Sequence, residues 1–580
     1  MAILVGIVVG FVAAVDLTRW IRPAVLLDPD PSWAAPRLFL SMVVCCGAAL
    51  AGGLAAGAFL LWSRMPSASA PLSPLPLRRG AVTALAAAAI VAGAALRFAA
   101  LARVPEVLWV DDLSLIRPAL ALRAAPADFA DATRVVPFGV AKPYGSVGVL
   151  YLEGYRACLR LFGTTVFGVR FPSALAGAVS LVTAALLGRA LLPEGGGALA
   201  ALILAGIRWH LILSRWAWNM IVLAPIVDVA TLLIVAARSR RSRTLAVAAG
   251  IVAGLGAHVY LSAWPAGAAL GLFALWPQAQ PERLVHRMAR AAAFAAGFLL
   301  SVSPLFLFAQ GRRAPYFART ADHNVALEMA RTRSILPPFS AAADTFAAPW
   351  FLADPSARHD LPGRSRLGLL LGIPVAAAFS RALLRPRDGI SALLWSHGIA
   401  VLAAVVAGGQ ADHPNGSRFA YLGSLAAVAA ASGVLWIVGL WRREDRRHTA
   451  AIVAVGALSV GGALGARDAL LRWPEDAQTF RSFHGQDTLI GRAAARWGEF
   501  GRLTIASGVG HSPLAIEPIR TFRLGQAPLA PRRPGGSAGF QIRIVSAASQ
   551  PEASERVVER IQDPAGREWA RVLAMRNGSL

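Results

Sequence analysis

Long apolar runs dominate this chain and decide what it can become. At roughly 20 apolar residues per membrane crossing, they fall near 2–18, 37–62, 79–101, 168–192, 197–213, 220–237, 244–258, 261–276, 289–309, 366–384, 390–407, 419–440 and 449–465. That makes about thirteen spans. No water-soluble core absorbs so many. Charged residues are only 15% of the 580, against roughly 25% in a soluble domain, so there is too little polar surface for a soluble enzyme, a disordered chain or a fibre. The expected fold class is a polytopic all-α membrane protein with interfacial helices. The first run lacks a basic leading segment and a clear small-residue cleavage site, and reads as a retained helix.

The net charge of +25 would suggest nucleic acid in a soluble protein. Here the cations cluster between apolar runs, as cytoplasmic anchors do, and no nucleic-acid partner is expected. Clusters at Arg78–Arg79, Arg238–Arg243, Arg283–Arg290, Arg381–Arg387 and Arg442–Arg447 all fall on one side of the expected spans. This places the N-terminus inside and the tail from 466 outside, with Arg19 and Arg22 in conflict at the first hairpin. The register requires that 146–163 not be a span. That stretch carries Glu153, Arg156 and Arg160 at helical spacing, which suits an interfacial amphipathic helix rather than the bilayer centre.

Three outer segments follow: 102–167, 310–365 and the tail 466–580. In the tail, alternation over Phe540–Val545 reads as a strand and a helical pattern runs through 552–574, together a small extracytoplasmic α/β domain. Residues 1–78 supply two additional helices and a cytoplasmic loop. Three cysteines, Cys45, Cys46 and Cys158, make neither a disulfide framework nor a zinc or redox motif.

Ionisable and aromatic residues collect in the outer segments, whereas a pump or channel would place them at mid-membrane depth. Leu108-Trp109-Val110-Asp111-Asp112 sets two acids in an apolar frame at the membrane surface; helix capping is the plainer reading of such acids. Lys142-Pro143-Tyr144 opens the amphipathic segment, where a lysine could also simply snorkel to the interface. Lys142 is the only lysine among 57 cationic residues, and a compact ammonium does not interchange with a guanidinium. Ser214-Arg215-Trp216-Ala217-Trp218-Asn219 has the character of an aromatic belt. His258-Val259-Tyr260, Asp354 to Gly363 with Arg358 and His359, and His413 to Arg418 complete the set.

The acid pair, the Lys-Pro, the run Phe167-Gly168-Val169-Arg170-Phe171-Pro172-Ser173-Ala174-Leu175-Ala176-Gly177, Ser214-Arg215 and Arg358-His359-Asp360-Leu361-Pro362-Gly363 together resemble the GT-C membrane glycosyltransferases. The resemblance is to the group of protein O-mannosyltransferases and lipid A aminoarabinose transferases, and it covers about 79–440. It implies a catalytic transmembrane core over 79–465 and a sugar donor carried on polyprenyl phosphate. It implies catalytic acids at Asp111 and Asp112, with Asp111 in the acid/base place, and donor phosphate contacts from Lys142 and Arg215. Substrate contacts fall to Tyr144, Asn219, His258, Tyr260, Arg358, His359 and Arg418. Where many members carry an acid after Ser-Arg, this chain has Asn219. A divalent metal is compatible with the site, but no residue points to one, and the cofactor is left open.

The chemistry is coherent on its own terms. Displacing a polyprenyl phosphate from an anomeric carbon needs cations for the leaving group and one base for the acceptor hydroxyl. A glycosidase would need two spaced carboxylates. In-line displacement inverts the anomeric centre. The expected activity is transfer of a sugar to a glycan, lipid or protein hydroxyl on the outer face of a bacterial cell membrane. The alternative is a transporter or flippase of a lipid-linked saccharide, which would need a cationic path through the spans.

Overall fold

The computed structural model describes residues 72–110, 113, 115–121, 135–137, 146–278, 282–311, 325–347, 349–408, 416–499, 501–506, 509–510, 513–522, 524, 540–563 and 566–576. The expected spans 2–18 and 37–62 lie outside them. In chain order the principal elements are helix α1 (Arg79–Phe98), a hairpin of β1 (Val135–Pro137) and β2 (Ser146–Gly148), α2 (Val149–Phe162), α3 (Val166–Leu191), α4 (Gly196–Gly206), α5 (Arg208–Leu213), α6 (Asn219–Arg240), α7 (Arg243–Leu255), α8 (Ala263–Leu275), α9 (Leu284–Gly311), α10 (Pro337–Ala347), α11 (Gly368–Leu384), α12 (Gly389–Gly408), α13 (Gly423–Gly439) and α14 (Glu444–Arg467). The tail adds α15 (Gly485–Trp497), β3 (Gly501–Ile505), α16 (Pro513–Phe522), β4 (Phe540–Ser546), β5 (Arg556–Gln562) and β6 (Glu568–Arg576).

Each apolar run within the described residues is helical, but the count of thirteen spans is not reached there. By length and composition five described helices can cross a membrane, or six if 370–384 and 389–405, bent by 101°, form one span. Gly196–Gly206, Arg243–His258 and Ala263–Leu275 are shorter apolar helices. The run 197–213 is not one helix. Ile207 takes an extended conformation and α5 restarts at Arg208. The reason is electrostatic: Arg208 donates to both carboxylate oxygens of buried Asp360, at 2.6 and 3.0 Å, and to the Ser365 carbonyl at 2.8 Å. A guanidinium inside a continuous span would lack such partners.

The amphipathic segment 146–163 forms β2 and the 14-residue α2, shorter than a crossing requires. Leu152, Tyr155 and Leu159 turn inward and cluster with Leu108, Ile116, Val169, Ala217 and Ile519. Helix packing elsewhere uses small residues, as membrane bundles do. A Cβ added at Gly206 would lie 2.2 Å from the Gly462 Cα, so α4 and α14 cross almost backbone to backbone.

The tail holds one four-stranded sheet of order β3-β4-β6-β5, with β3 and β4 parallel and the other pairs antiparallel. Ile542, Ile544, Ala570 and Val572 on one face pack against Ile490, Ala493 and Ala494 of α15 and Ile516 of α16. The helical pattern expected over 552–574 is therefore corrected to two strands, β5 and β6. Both spacings fit the sequence there, and the free edge of β4 decides the outcome, because pairing and burial override local preference.

Candidate functional site

The site begins with how the chain leaves α1. Residues 99–110 lead to the acid pair, and two buried arginines hold them. Arg170, 1% exposed, donates to the carbonyls of Leu101 at 2.9 Å and Val107 at 2.8 Å. Arg215, 0% exposed, donates to Leu96 and Ala99, each at 2.6 Å, to Arg97 at 3.1 Å and to Val104 at 3.3 Å. Carbonyls left over at the end of α1 are thus satisfied by side chains. Burial pushes the Arg215 guanidinium down to about 10, so it stays charged at neutral pH.

The run from Arg170 to Gly177 has a structural reason residue by residue. Arg170 fixes the loop. The Ser173 hydroxyl donates to the Trp218 carbonyl at 3.1 Å and accepts from the Trp218 amide at 2.9 Å. A Cβ at Gly177 would stand 2.2 Å from Ser214 Oγ and 2.9 Å from Arg97 Nε, so only glycine lets the 214–218 junction approach α3. Asn219 then donates to the Val259 carbonyl at 2.7 Å and holds the turn that carries His258 and Tyr260.

A third loop closes over these. The Arg358 guanidinium lies 3.8 Å from the Trp109 ring centroid and donates to the Ser482 carbonyl at 2.6 Å. His359 stacks on Trp216, centroids 6.3 Å apart, with its Nδ1 3.2 Å from Asp354 Oδ1. Arg366 also pairs with Asp354. Burial pushes the His359 imidazole below its ordinary value against the pull of Asp354. Burial alone would raise Asp354, but His359, Arg366 and the Ser356 amide more than offset it, and its carboxyl sits below the usual range.

The fourth contributor had no local signal in the sequence. Trp473 donates to the Ala357 carbonyl at 2.7 Å. Phe483 packs on Trp216 and Trp109 at 5.3 and 6.5 Å, and His484 stacks on Trp109 at 5.3 Å. Thr488 Oγ1 accepts from the Leu108 amide at 3.0 Å, and Arg492 donates to the carbonyl and carboxylate of Glu106, both at 2.8 Å. The tail is therefore part of the site.

Of the residues singled out from sequence, Asp111, Asp112, Lys142 and Tyr144 lie outside the described residues. Trp109, Arg358 and His359 come together. Arg215 and Asn219 are buried beneath them, engaged with backbone. His258 is buried, with Nε2 3.0 Å from the Ser301 carbonyl; Tyr260 is partly buried against the apolar cluster that includes Leu108 and Tyr151; Arg418 lies on the 3-10 segment Gly416–Leu422, which packs on α6. Among the described residues, no group of three His, Cys, Asp or Glu is placed to hold a metal.

These features define a helical membrane protein whose polar loops, backed by two buried arginines, meet at one end of the bundle. Residues 154–308 match the family model described as dolichyl-phosphate-mannose-protein mannosyltransferase. The matched segment, about a quarter of the chain, is similar to this mannosyltransferase family. Solved structures similar to it include ArnT from Cupriavidus metallidurans bound to undecaprenyl phosphate, at 14% identity over 87% of this chain and 99% of that one, TM-score 0.48. Another is the archaeal oligosaccharyltransferase AglB from Archaeoglobus fulgidus, in complex with an inhibitory peptide and a dolichol-phosphate, at 16% identity over 72% of this chain and 58% of that one, TM-score 0.40. No curated protein matches the sequence at a significant level.

Proposed function

We propose that this protein moves a sugar from a polyprenyl-phosphate donor to an acceptor hydroxyl on the extracytoplasmic face of the membrane, with inversion. The observation that carries the reading is the clamping of the 99–110 loop by Arg170 of the family-matched segment. The clamp holds the backbone shortly before Asp111 and Asp112, and a general base needs such a fixed approach. Asp111 takes the acceptor proton. Lys142 neutralises the donor phosphate and the charge that grows on it as the sugar leaves. Arg215, with its guanidinium committed to four carbonyls, serves by holding the loop rather than by touching phosphate.

The direct test is to incubate the purified protein with polyprenyl-phosphate monosaccharides and follow loss of sugar and release of the lipid phosphate. Asp111→Asn keeps size and hydrogen bonding and removes basicity. It is expected to cut turnover by about a hundredfold or more with little change in donor binding. Near-normal turnover in Asp111→Asn with an inactive Asp112→Asn would exchange the two roles.

A further inference from the structure

The tail meets the acid loop through one residue whose backbone is unusual. His484 sits at φ 49° and ψ 52°, in the left-handed region, just before the first residue of α15. Glycine adopts that conformation without penalty, whereas a residue with a Cβ pays for it. Histidine tolerates it better than most, but glycine would still be cheaper. The imidazole has a specific place: its ring lies 19° from parallel with Trp109 at 5.3 Å. Trp109 also carries the Arg358 guanidinium at 3.8 Å, and Arg358 is tied to the Ser482 carbonyl, two residues before His484. Four residues after His484, Thr488 holds both polar groups of the Leu108 backbone, accepting from the amide at 3.0 Å and donating to the carbonyl at 3.4 Å. A non-glycine residue in left-handed backbone persists where its surroundings hold it, and here the stack on Trp109 does so.

We infer that His484 is a positioning residue for the acid pair, and that the segment 482–492 is a brace which sets where the chain stands as it enters Asp111 and Asp112. Trp109 is two residues from Asp111. With its ring held by His484 and Arg358 and the preceding backbone held by Thr488 and Arg492, the peptide leaves Trp109 from a fixed point. A general base works only within hydrogen-bond reach of its proton, and a displacement of about 1 Å can cost a hundredfold. The brace serves the turnover step and leaves donor affinity to other residues. The inference rests on the glycosyltransferase reading for its activity measurements, but not for its structural one.

The experiment exploits the conflict between backbone and ring. His484→Gly relieves the left-handed backbone and removes the stack. In the full-length protein in lipid nanodiscs, with a panel of polyprenyl-phosphate monosaccharides as probes, kcat is expected to fall at least about tenfold, KM for the donor to stay within about twofold, and the melting temperature not to fall. His484→Phe, which retains a stacking ring, is expected to recover part of kcat. Hydrogen exchange across 106–110 is expected to speed up in His484→Gly. Unchanged kcat, or a joint loss of stability and turnover that Phe does not repair, overturns the inference. If His484→Gly does not fold, Thr488→Val and Thr488→Ser decide. Loss of kcat in Val with recovery in Ser supports the brace, and equal activity in both overturns it. If the wild type turns over no donor, the glycosyltransferase reading fails by itself, and unchanged exchange at 106–110 is then the result that sinks the brace.

Discussion

Arg170 shows how one side chain can serve both fold and site. It sits in the first turns of α3, yet its guanidinium serves the carbonyls of Leu101 and Val107, 69 and 63 residues away. Replacing it with methionine keeps the length and leaves two carbonyls without their charged donor. Such hydrogen bonds are worth about 1.5–3 kcal/mol each, so Arg170→Met is expected to lower stability by roughly 2–5 kcal/mol and to lose turnover in proportion to the loop's loosening. Thermal unfolding in detergent, with turnover measured at the same temperature, checks this; full stability and activity in the variant would show that the loop does not depend on Arg170. Residues of this kind were only half legible. Arg170 is visible as a charge in an apolar helix, but its target is not, because nothing near it in the chain names Leu101. Arg215 looked like a phosphate ligand for the same reason: an arginine beside tryptophans at a span end presents the same letters whether it faces outward or inward.

At the scale of elements, apolar run length located the long described helices of the bundle, because hydrophobic length is written into local sequence, but it gave no sign of α10 inside the outer segment 310–365. It failed where distant partners decide. The break at Ile207 depends on Asp360, and the strands β5 and β6 depend on β4. The crossing of α4 and α14 offers a measurement with a built-in control. A Cβ on Gly206 would meet the Gly462 backbone at 2.2 Å, whereas a Cβ on Gly462 would find its nearest neighbour at 3.4 Å, ordinary contact. Gly206→Ala is therefore expected to destabilise by about 1–3 kcal/mol and Gly462→Ala by clearly less, read as melting temperatures of the purified protein. Equal effects would mean that the helices shift apart at little cost.

For the whole molecule, the contacts are consistent with one alternation of helices. The C-terminal ends of α1, α7 and α14 and the N-terminal ends of α3, α6 and α11 all carry the loops that meet around Trp109 and Asn219. The opposite end gathers arginines: Arg290 pairs with Glu282 at 2.7 Å, Arg238 covers Phe273, and Arg447 donates to the Pro74 carbonyl at 2.9 Å. By the positive-inside tendency, that end is expected to face the cytoplasm. A reporter active only outside the cytoplasm should work when fused after Arg467 and stay silent when fused after Arg241. The reverse pattern would invert the proposed orientation and place the site on the wrong face for its donor.

The hydrogen bond between Leu108 and Thr488 joins residues 380 positions apart. A ribosome adding about 5–20 residues per second needs roughly 20–75 s to travel that distance. Throughout that interval the acid loop is already made while the segment that packs on it is still unmade. The chain is thus its own timer. A nascent or truncated copy lodged in the bilayer has its helices and its acids but not the contact that sets them. If the proposed brace sets the acid pair, transfer is expected to begin only once the tail has folded onto the loop, and a half-made copy is expected to leave its donor unused.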